Sequence, residues 1–169
     1  IKIEYEAYHV LPSNLDNFIR DFFDDGGDGL NITLPHKINC LQSADEFSPI
    51  VKKIGAANTL TRLTNTDKIF ADSTDGMGLI KGLREARINE IMSDILILGA
   101  GGAAQSIIHD LQNMHPRVIA IANRTKEKVK PLVERFPSLD LDVLHPNTQV
   151  VDIATYISEW DFQGFHTLI

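Results

Sequence analysis

The chain has 169 residues, in which 16 Lys and Arg face 23 Asp and Glu, for a formal net charge of −7 at pH 7. This length allows one ordinary domain or two small ones with a buried core, and the acidic balance excludes a broad basic surface for nucleic acid or an anionic membrane. The single cysteine, Cys40, excludes an internal disulfide, and the absence of Cys/His clusters at zinc-site spacing argues against a structural metal. Since no signal-like or long apolar run occurs, we expect a soluble, cytoplasmic protein with a small-molecule partner, without nucleic acid or membrane partners.

The first half predicts short strands that alternate with helices. The opening "IKIEYEAYHV" alternates apolar and polar residues, which is the period of a half-buried strand. A helix is predicted to start at a cap formed by Ser13 or Asn14 and to end at Gly26 and Gly27. The following "GLNITL" predicts a second strand, which Pro35 ends.

The rest of the first half continues this alternation. Residues 36–55 have a helical pattern interrupted at Pro49, which suits the first turn of a further helix. The stretches "ANTLTRL" and "KIFADS" predict two strands joined by the turn "TNTDK". After "TDGMG" a helix is predicted to end near Ile88.

The second half predicts the β-α-β-α-β order of a doubly wound parallel sheet. Residues 95–98 form an apolar run typical of a strand buried on both faces, and residues 103–114 are helical. The strand "RVIAIA", the helical "KEKVKPLVERF" and the strands "LDVL" and "GFHTLI" follow. The polar junction "RINEIMSD" divides the chain into predicted domains at residues 1–87 and 88–169.

A glycine loop joins the first strand of the second half to its helix. It has the form Gly99-x-Gly101-x-x-Ala104, in which the first glycine permits a tight turn and the second lets a diphosphate approach the backbone. The small third residue lets the helix pack against the strand, and the free N–H groups of the first helical turn face the anion. A glycine turn without a ligand is the alternative, but the strand–loop–helix–strand order favours a dinucleotide.

The end of the next strand distinguishes NADP from NAD. NAD sites usually carry an acidic residue there for the ribose 2′-hydroxyl, whereas this chain has Asn123, Arg124, Thr125 and, one turn later, Lys128. The guanidinium of Arg124 suits a 2′-phosphate. The sequence therefore predicts NADP rather than NAD.

Three polar clusters, "NITLPHK", "GAANT" and "DSTDG", interrupt the first half at strand ends or turns. Ligands of α/β proteins bind at strand ends, so these side chains can converge on a polar molecule. Turn chemistry alone also selects such residues, and spacing leaves the two interpretations open. The candidate residues are Asn31, Thr33, Lys37, Asn58, Thr59, Thr74 and Asp75.

In this order and spacing, "NITLPHK", "GAANT", "DSTDG", "GAGGAA" and "NRT" resemble the shikimate dehydrogenase family over nearly the whole chain. The resemblance implies a reversible, NADP-dependent reduction of 3-dehydroshikimate to shikimate, in chorismate and aromatic amino acid biosynthesis. It implies an α/β fold with an N-terminal substrate domain and a Rossmann-like NADP-binding domain, and an active site between them.

Carried over by motif, the resemblance assigns a role to each cluster. Lys37 and Asp75 match the catalytic pair, and Asn31, Thr33 and Asn58, together with Asp75, match substrate-binding positions. The diphosphate loop corresponds to Gly99, Ala100, Gly101, Gly102 and Ala103. The 2′-phosphate segment corresponds to Asn123, Arg124, Thr125 and Lys128.

A lysine beside a carboxylate has a clear chemical use. A carboxylate such as that of Asp75 attracts the ammonium group of Lys37 and fixes its direction, so that Lys37 can donate to a ketone oxygen while hydride reaches the carbon. Electrostatic and hydrogen-bond stabilisation is therefore the role predicted for Lys37, and proton transfer by its side chain is the alternative. His36 is not assigned to the site.

Family members begin with a strand and a Ser-x-Ser element and continue beyond "GFHTLI", so the resemblance predicts an internal part of a longer enzyme, with both domains incomplete. Two alternatives to the NADP enzyme stay open. One is a quinate/shikimate dehydrogenase that uses NAD, and the other is a nucleotide-binding module without turnover. A monomer or a homodimer is expected.

Overall fold

A computed structural model of the chain describes residues 3–87, 94–116, 118–123, 125–136, 150–152 and 167–168. These residues form two four-stranded sheets with helices packed against them, one sheet from each half of the chain. The α/β fold predicted from the sequence is confirmed. The division into domains at residue 87 stays a prediction.

The first sheet is mixed. Its strands are β1 (Gly29–Asn31), β2 (Glu46–Phe47), β3 (Thr59–Arg62) and β4 (Ile69–Asp72), in the spatial order β1-β3-β4-β2. The β1–β3 and β3–β4 pairs are antiparallel, and the β2–β4 pair is parallel. Because β3 and β4 each lie between two neighbours, their backbones are the most constrained part of this sheet.

The first half of the chain has three α-helices. They are α1 (Leu15–Asp24), α2 (Pro49–Ile54) and α3 (Asp75–Glu85). Helix α2 begins as predicted, with Pro49 in its first turn and the Ser48 hydroxyl accepting from the backbone N–H of Val51 at 3.3 Å. Helix α3 begins at Asp75 itself, so the "TDGMG" motif lies in its first turn rather than before it.

The second sheet is parallel. Its strands are β5 (Asp94–Leu98), β6 (Val118–Ala122), β7 (Val150–Asp152) and β8 (Thr167–Leu168), in the spatial order β7-β6-β5-β8. The chain moves outward from β5 to β7 and then returns to place β8 on the other side of β5. This reversal marks the switch point of a Rossmann-like sheet, where α/β proteins bind their ligands.

Two helices of the second half complete the described fold. Helix α4 (Gly102–Gln112) starts directly after the glycine loop, and α5 (Lys130–Arg135) follows a 3-10 turn at Lys126–Lys128. Pro131 lies in the first turn of α5, where a missing N–H costs nothing. The proline therefore shortens the predicted helix instead of kinking it.

Several predicted elements differ from the structure. Residues 3–11 form no strand, and Ile3 and Tyr5 are exposed, because an alternating pattern becomes a strand only where a partner strand completes its hydrogen bonds. The predicted helix at residues 36–48 is instead a 3-10 turn at Asn39–Ser43 followed by β2. The predicted strand "LDVL" lies outside the described residues, and β7 was not predicted.

The two halves pack against each other through helices. The core of the second sheet includes Ile54 and Ala56 from the first half, and α3 packs along α4. At the end of α5, Arg135 Nη1 donates to the carbonyl oxygen of Ile54 at 2.7 Å. The glycine loop at the start of α4 is thereby held close to the polar clusters of the first half.

The contact between α3 and α4 depends on a missing side chain at Gly76. A Cβ at this position would overlap the Asp110 carboxylate and lie 2.9 Å from the backbone oxygen of Ser106. We expect Gly76→Ala to lower the free energy of unfolding by about 1–3 kcal/mol, because α4 must move away. The exposed Gly82, in the same helix, has open space around its Cβ position. Gly82→Ala should therefore raise the free energy of unfolding by about 0.5–1 kcal/mol. Urea unfolding of both variants measures these changes, and equal effects of the two substitutions would contradict a close α3–α4 contact at Gly76.

Cys40 is fully buried beneath the segment that carries Lys37. Burial raises the pKa of its thiol from 9.0 to about 11. Above pH 9 the unfolded thiol loses its proton while the folded thiol keeps it, so this group's stabilising contribution should decline between pH 9 and pH 11. The free energies of unfolding of wild type and Cys40→Ala can be measured in urea at pH 8, 9 and 10. As the pH rises, the wild-type value should fall relative to that of Cys40→Ala. A difference that is constant with pH would refute the buried, protonated thiol.

Candidate functional site

The centre of the site is an ion pair between Lys37 and Asp75. Lys37 Nζ donates to Asp75 Oδ2 at 2.6 Å, and the two side chains are 13% and 23% exposed. Asp75 lies in the first turn of α3, where the helix dipole stabilises a carboxylate. Since water is largely excluded from the pair, its geometry is held more firmly than that of a surface ion pair.

The backbone brings Lys37 to this place from the end of β1. The N–H of Ala57 donates to the carbonyl of Lys37 at 2.8 Å, and the N–H of Ile32 donates to the carbonyl of Asn58 at 2.7 Å. The "NITLPHK" and "GAANT" segments are therefore bonded side by side at the same end of the first sheet.

Asn58, the residue directly before β3, joins the ion pair. Its Nδ2 donates to Asp75 Oδ1 at 2.9 Å, so the two oxygens of the Asp75 carboxylate accept from Asn58 and Lys37 respectively. The predicted convergence of Lys37, Asn58 and Asp75 is thus observed. Their catalytic and substrate-binding roles stay predictions.

Asn31 and Thr33 lie beside this cluster, and both are exposed. Asn31 is the register partner of Thr59, which places it next to Asn58 along the sheet edge. Its Oδ1 accepts from the Tyr5 hydroxyl at 3.1 Å. No local pattern in the sequence marks Tyr5 as a site residue, because its contact with Asn31 joins residues 26 positions apart.

His36 precedes Lys37 but has a different partner. Its Nε2 lies 2.8 Å from the backbone oxygen of Val10 and donates to it. The imidazole therefore joins the opening segment to the "NITLPHK" turn, which agrees with its exclusion from the site.

The glycine loop at residues 99–102 has the geometry of an anion cradle. Gly99 has φ +114°, a backbone conformation that glycine adopts freely and that strains other residues. Its N–H donates to the carbonyl oxygen of Ala122 at 2.7 Å. A Cβ at Gly99 or Gly101 would meet none of the described atoms within 4 Å. No side chain among the described residues caps α4, so the first N–H groups of that helix stay available to a diphosphate.

The same loop touches the lysine. A Cβ at Gly102 would lie 3.0 Å from Cβ of Lys37. Of the neighbouring candidates, Ala100 is buried under the loop and Ala103 is exposed on α4. The ion pair and the anion cradle are therefore parts of one site.

The segment predicted to hold a 2′-phosphate follows β6. Asn123 Nδ2 donates to the backbone oxygen of Thr125 at 2.7 Å, which shapes the turn, and Thr125 and Lys128 are exposed. Arg124 lies outside the described residues. Two of the four candidates are thus open to a ligand, and Asn123 orders the turn that carries them.

Two other kinds of feature are absent from the described part of the chain. No group of three or more His, Cys, Asp or Glu side chains is arranged there as metal ligands. None of its helices has both the length and the apolar character needed to cross a membrane.

A mixed sheet joined to a parallel Rossmann-like sheet, with a lysine–aspartate pair beside the glycine loop, defines an α/β protein of the dinucleotide-binding class. Residues 1–60 match the family model of the shikimate dehydrogenase substrate binding domain, and residues 83–162 match that of shikimate / quinate 5-dehydrogenase. The chain belongs to the shikimate dehydrogenase family.

Curated relatives agree with the family models. The chain is 40% identical over 139 residues to the shikimate dehydrogenase (NADP(+)) of Colwellia psychrerythraea, covering 82% of this chain and 50% of the relative. It is 41% identical over 165 residues to that of Legionella pneumophila strain Philadelphia 1, covering 97% and 61% respectively. The chain thus spans about half the length of the curated relatives it matches.

Solved structures show the same fold. Shikimate dehydrogenase from Aquifex aeolicus has a TM-score of 0.71 at 30% identity, covering 88% of this chain and 52% of that one. The Thermus thermophilus enzyme in complex with NADP(H) and shikimate has a TM-score of 0.68 at 26% identity, covering 84% and 49%. The Listeria monocytogenes enzyme in complex with shikimate and NAD has a TM-score of 0.70 at 27% identity, covering 87% and 50%.

Proposed function

We propose that the protein catalyses the reversible, NADP-dependent reduction of 3-dehydroshikimate to shikimate. The observation that carries this proposal is the Lys37–Asp75 pair at 2.6 Å, packed against a glycine loop whose helix start is open to an anion. The names of the relatives and the NADP(H)–shikimate complex of the Thermus thermophilus enzyme support the choice of substrate and cofactor.

The residues present fit a dinucleotide. Gly99, Gly101 and the first N–H groups of α4 would hold its diphosphate, and Thr125, Lys128 and Arg124 would hold a 2′-phosphate. When bound, the nicotinamide supplies or accepts the hydride. The uncovered backbone at Gly101 is the structural reason for this assignment.

The chain's own residues have the following roles in the proposed reaction. Lys37 donates a hydrogen bond to the substrate oxygen that changes between ketone and alcohol, and stabilises the negative charge that develops there. Asp75 keeps the ammonium group directed at that oxygen. Asn31 and Thr33 at the sheet edge hold the hydroxyl groups of the substrate, for which amide and hydroxyl groups are suitable partners. Asn58, the third residue with a predicted substrate-binding role, holds the Asp75 carboxylate.

An NAD-dependent shikimate or quinate dehydrogenase is the second candidate. It is supported by the family description that includes quinate and by the NAD complex of the Listeria monocytogenes enzyme. In such an enzyme, the substrate would present a diol like that of shikimate to the same Lys37–Asp75 pair. Only the nucleotide and the substituents of the ring differ.

The whole protein should oxidise shikimate with NADP, and the absorbance of the reduced nicotinamide at 340 nm follows the reaction. A kcat/KM that is higher with NADP and shikimate than with NAD or quinate supports the proposal. Preference for NAD or quinate would favour the second candidate. Binding of NADP without turnover would favour a nucleotide-binding module.

A further inference from the structure

The side-chain amide of Asn58 has one defined orientation. The backbone N–H of Thr74 lies 3.1 Å from its Oδ1, and an N–H group can only donate, so the atom facing it is the amide oxygen. The hydroxyl of Thr59 lies 2.8 Å from the same oxygen and donates to it. The amide NH₂ group consequently faces Asp75 and the Thr74 hydroxyl, at 2.9 and 3.0 Å.

This orientation matters because the Asp75 carboxylate can only accept. A flipped amide would place its oxygen against Asp75 Oδ1, so that two acceptors would face each other and one hydrogen bond would be lost. Asp75 would then be held by Lys37 alone, and its carboxylate could rotate. Groups that fix the amide of Asn58 therefore also fix the direction of Lys37.

Thr59 is well placed to do so. It begins β3, where Asn31 of β1 and Asp72 of β4 are its register partners on either side. A β-branched side chain in a strand with two neighbours has little χ1 freedom, so its hydroxyl is rigidly aimed. None of the described contacts of Thr59 involves Lys37 or Asp75 directly, so any effect on them must pass through Asn58.

We propose that Thr59 is a positioning residue whose hydroxyl, through the Asn58 amide and the Asp75 carboxylate, sets the direction of the Lys37 ammonium group. The proposal rests on the proposed function for its effect on turnover. A threonine needed only for the strand would be replaced by valine without loss, because both are β-branched strand formers. The hydroxyl, not the branched shape, is the part that the proposal requires.

The test compares Thr59→Val, which removes the hydroxyl, with Thr59→Ser, which keeps it. Thr61→Val is the matched control, since Thr61 lies on the same face of β3 and its hydroxyl has no hydrogen bond among the described residues. Loss of one hydrogen bond predicts a kcat/KM for shikimate about three- to tenfold lower in Thr59→Val. Thr59→Ser and Thr61→Val should stay within about twofold of wild type.

A second readout needs no turnover. The side-chain NH₂ signals of Asn58 in ¹H–¹⁵N spectra, assigned by their loss in Asn58→Asp, should exchange with water faster in Thr59→Val than in wild type or Thr61→Val. Thr59→Ser should restore the slow exchange. If wild type shows no shikimate turnover, the proposed function fails while this readout still decides whether Thr59 orients Asn58.

Two results would overturn the proposal. One is an Asn58 NH₂ exchange rate in Thr59→Val equal to that of wild type. The other is a Thr59→Ser variant as impaired as Thr59→Val, because the methyl group rather than the hydroxyl would then be responsible.

Discussion

Replacing Lys37 with methionine should lower kcat for shikimate oxidation by a factor of about 10² to 10³, the usual effect of losing a donor to a developing oxyanion. The 2.6 Å contact with Asp75 fixes the ammonium group, and at 13% exposure water has little access to replace it. Methionine keeps most of the unbranched stem that packs against Gly102 while removing the charge. The measurement is steady-state kinetics of shikimate oxidation with NADP and of 3-dehydroshikimate reduction with NADPH.

The matched control is Lys68→Met. Lys68 also pairs with a carboxylate, Glu46, at 2.8 Å, but the two side chains are 56% and 47% exposed. A surface pair of this kind contributes little, so both the free energy of unfolding and kcat should stay close to wild type. Circular dichroism and urea unfolding establish that Lys37→Met is folded. Turnover near the wild-type rate in a folded Lys37→Met protein would remove Lys37 from the mechanism.

The second large effect concerns the choice of nucleotide. Arg124→Ala should raise KM for NADP by about 10- to 100-fold, because a charge-assisted hydrogen bond to a phosphate is worth about 1.5–3 kcal/mol. KM for NAD should change by less than about twofold, since NAD has no 2′-phosphate for the guanidinium to bind. Kinetics with each nucleotide at saturating shikimate measure both values.

Arg84→Ala controls for the loss of an arginine elsewhere. Arg84 is exposed in the last turn of α3 and was not a candidate for cofactor binding, so its removal should leave both KM values unchanged. If Arg124→Ala weakens NADP and NAD equally, the arginine contacts a part that both share, and NADP specificity has another source. If neither value changes, Arg124 is not a cofactor residue.

Elements with a strong local pattern were predicted well. The apolar strand β5, the glycine loop and helix α4 follow one another as the sequence indicates, because burial on both faces, a positive φ at Gly99 and a helical period are all local properties. Helix α1 lies between its predicted ends, although Asn14 makes no side-chain capping bond.

Elements that need a partner were predicted poorly. The opening segment has the alternation of a strand, but residues 3–11 find no partner strand among the described residues. Strand β2 has only two residues and exists because β4 pairs with it in parallel, so no pattern in its own sequence could have indicated it. The hydrogen bond from Tyr5 to Asn31 likewise joins segments that are far apart in the sequence, so local spacing does not indicate it.

The sequence by itself determined which residues can do chemistry and where the nucleotide loop lies. It also determined the family, because five short motifs occur in one order. Only the tertiary structure decided that Lys37 and Asp75, 38 residues apart, meet at 2.6 Å, that Asn58 takes the second carboxylate oxygen, and that Gly102 packs on the lysine. The physical reason is that sheet register and the packing of α3 against α4 set these distances, and both depend on contacts between segments far apart in the chain.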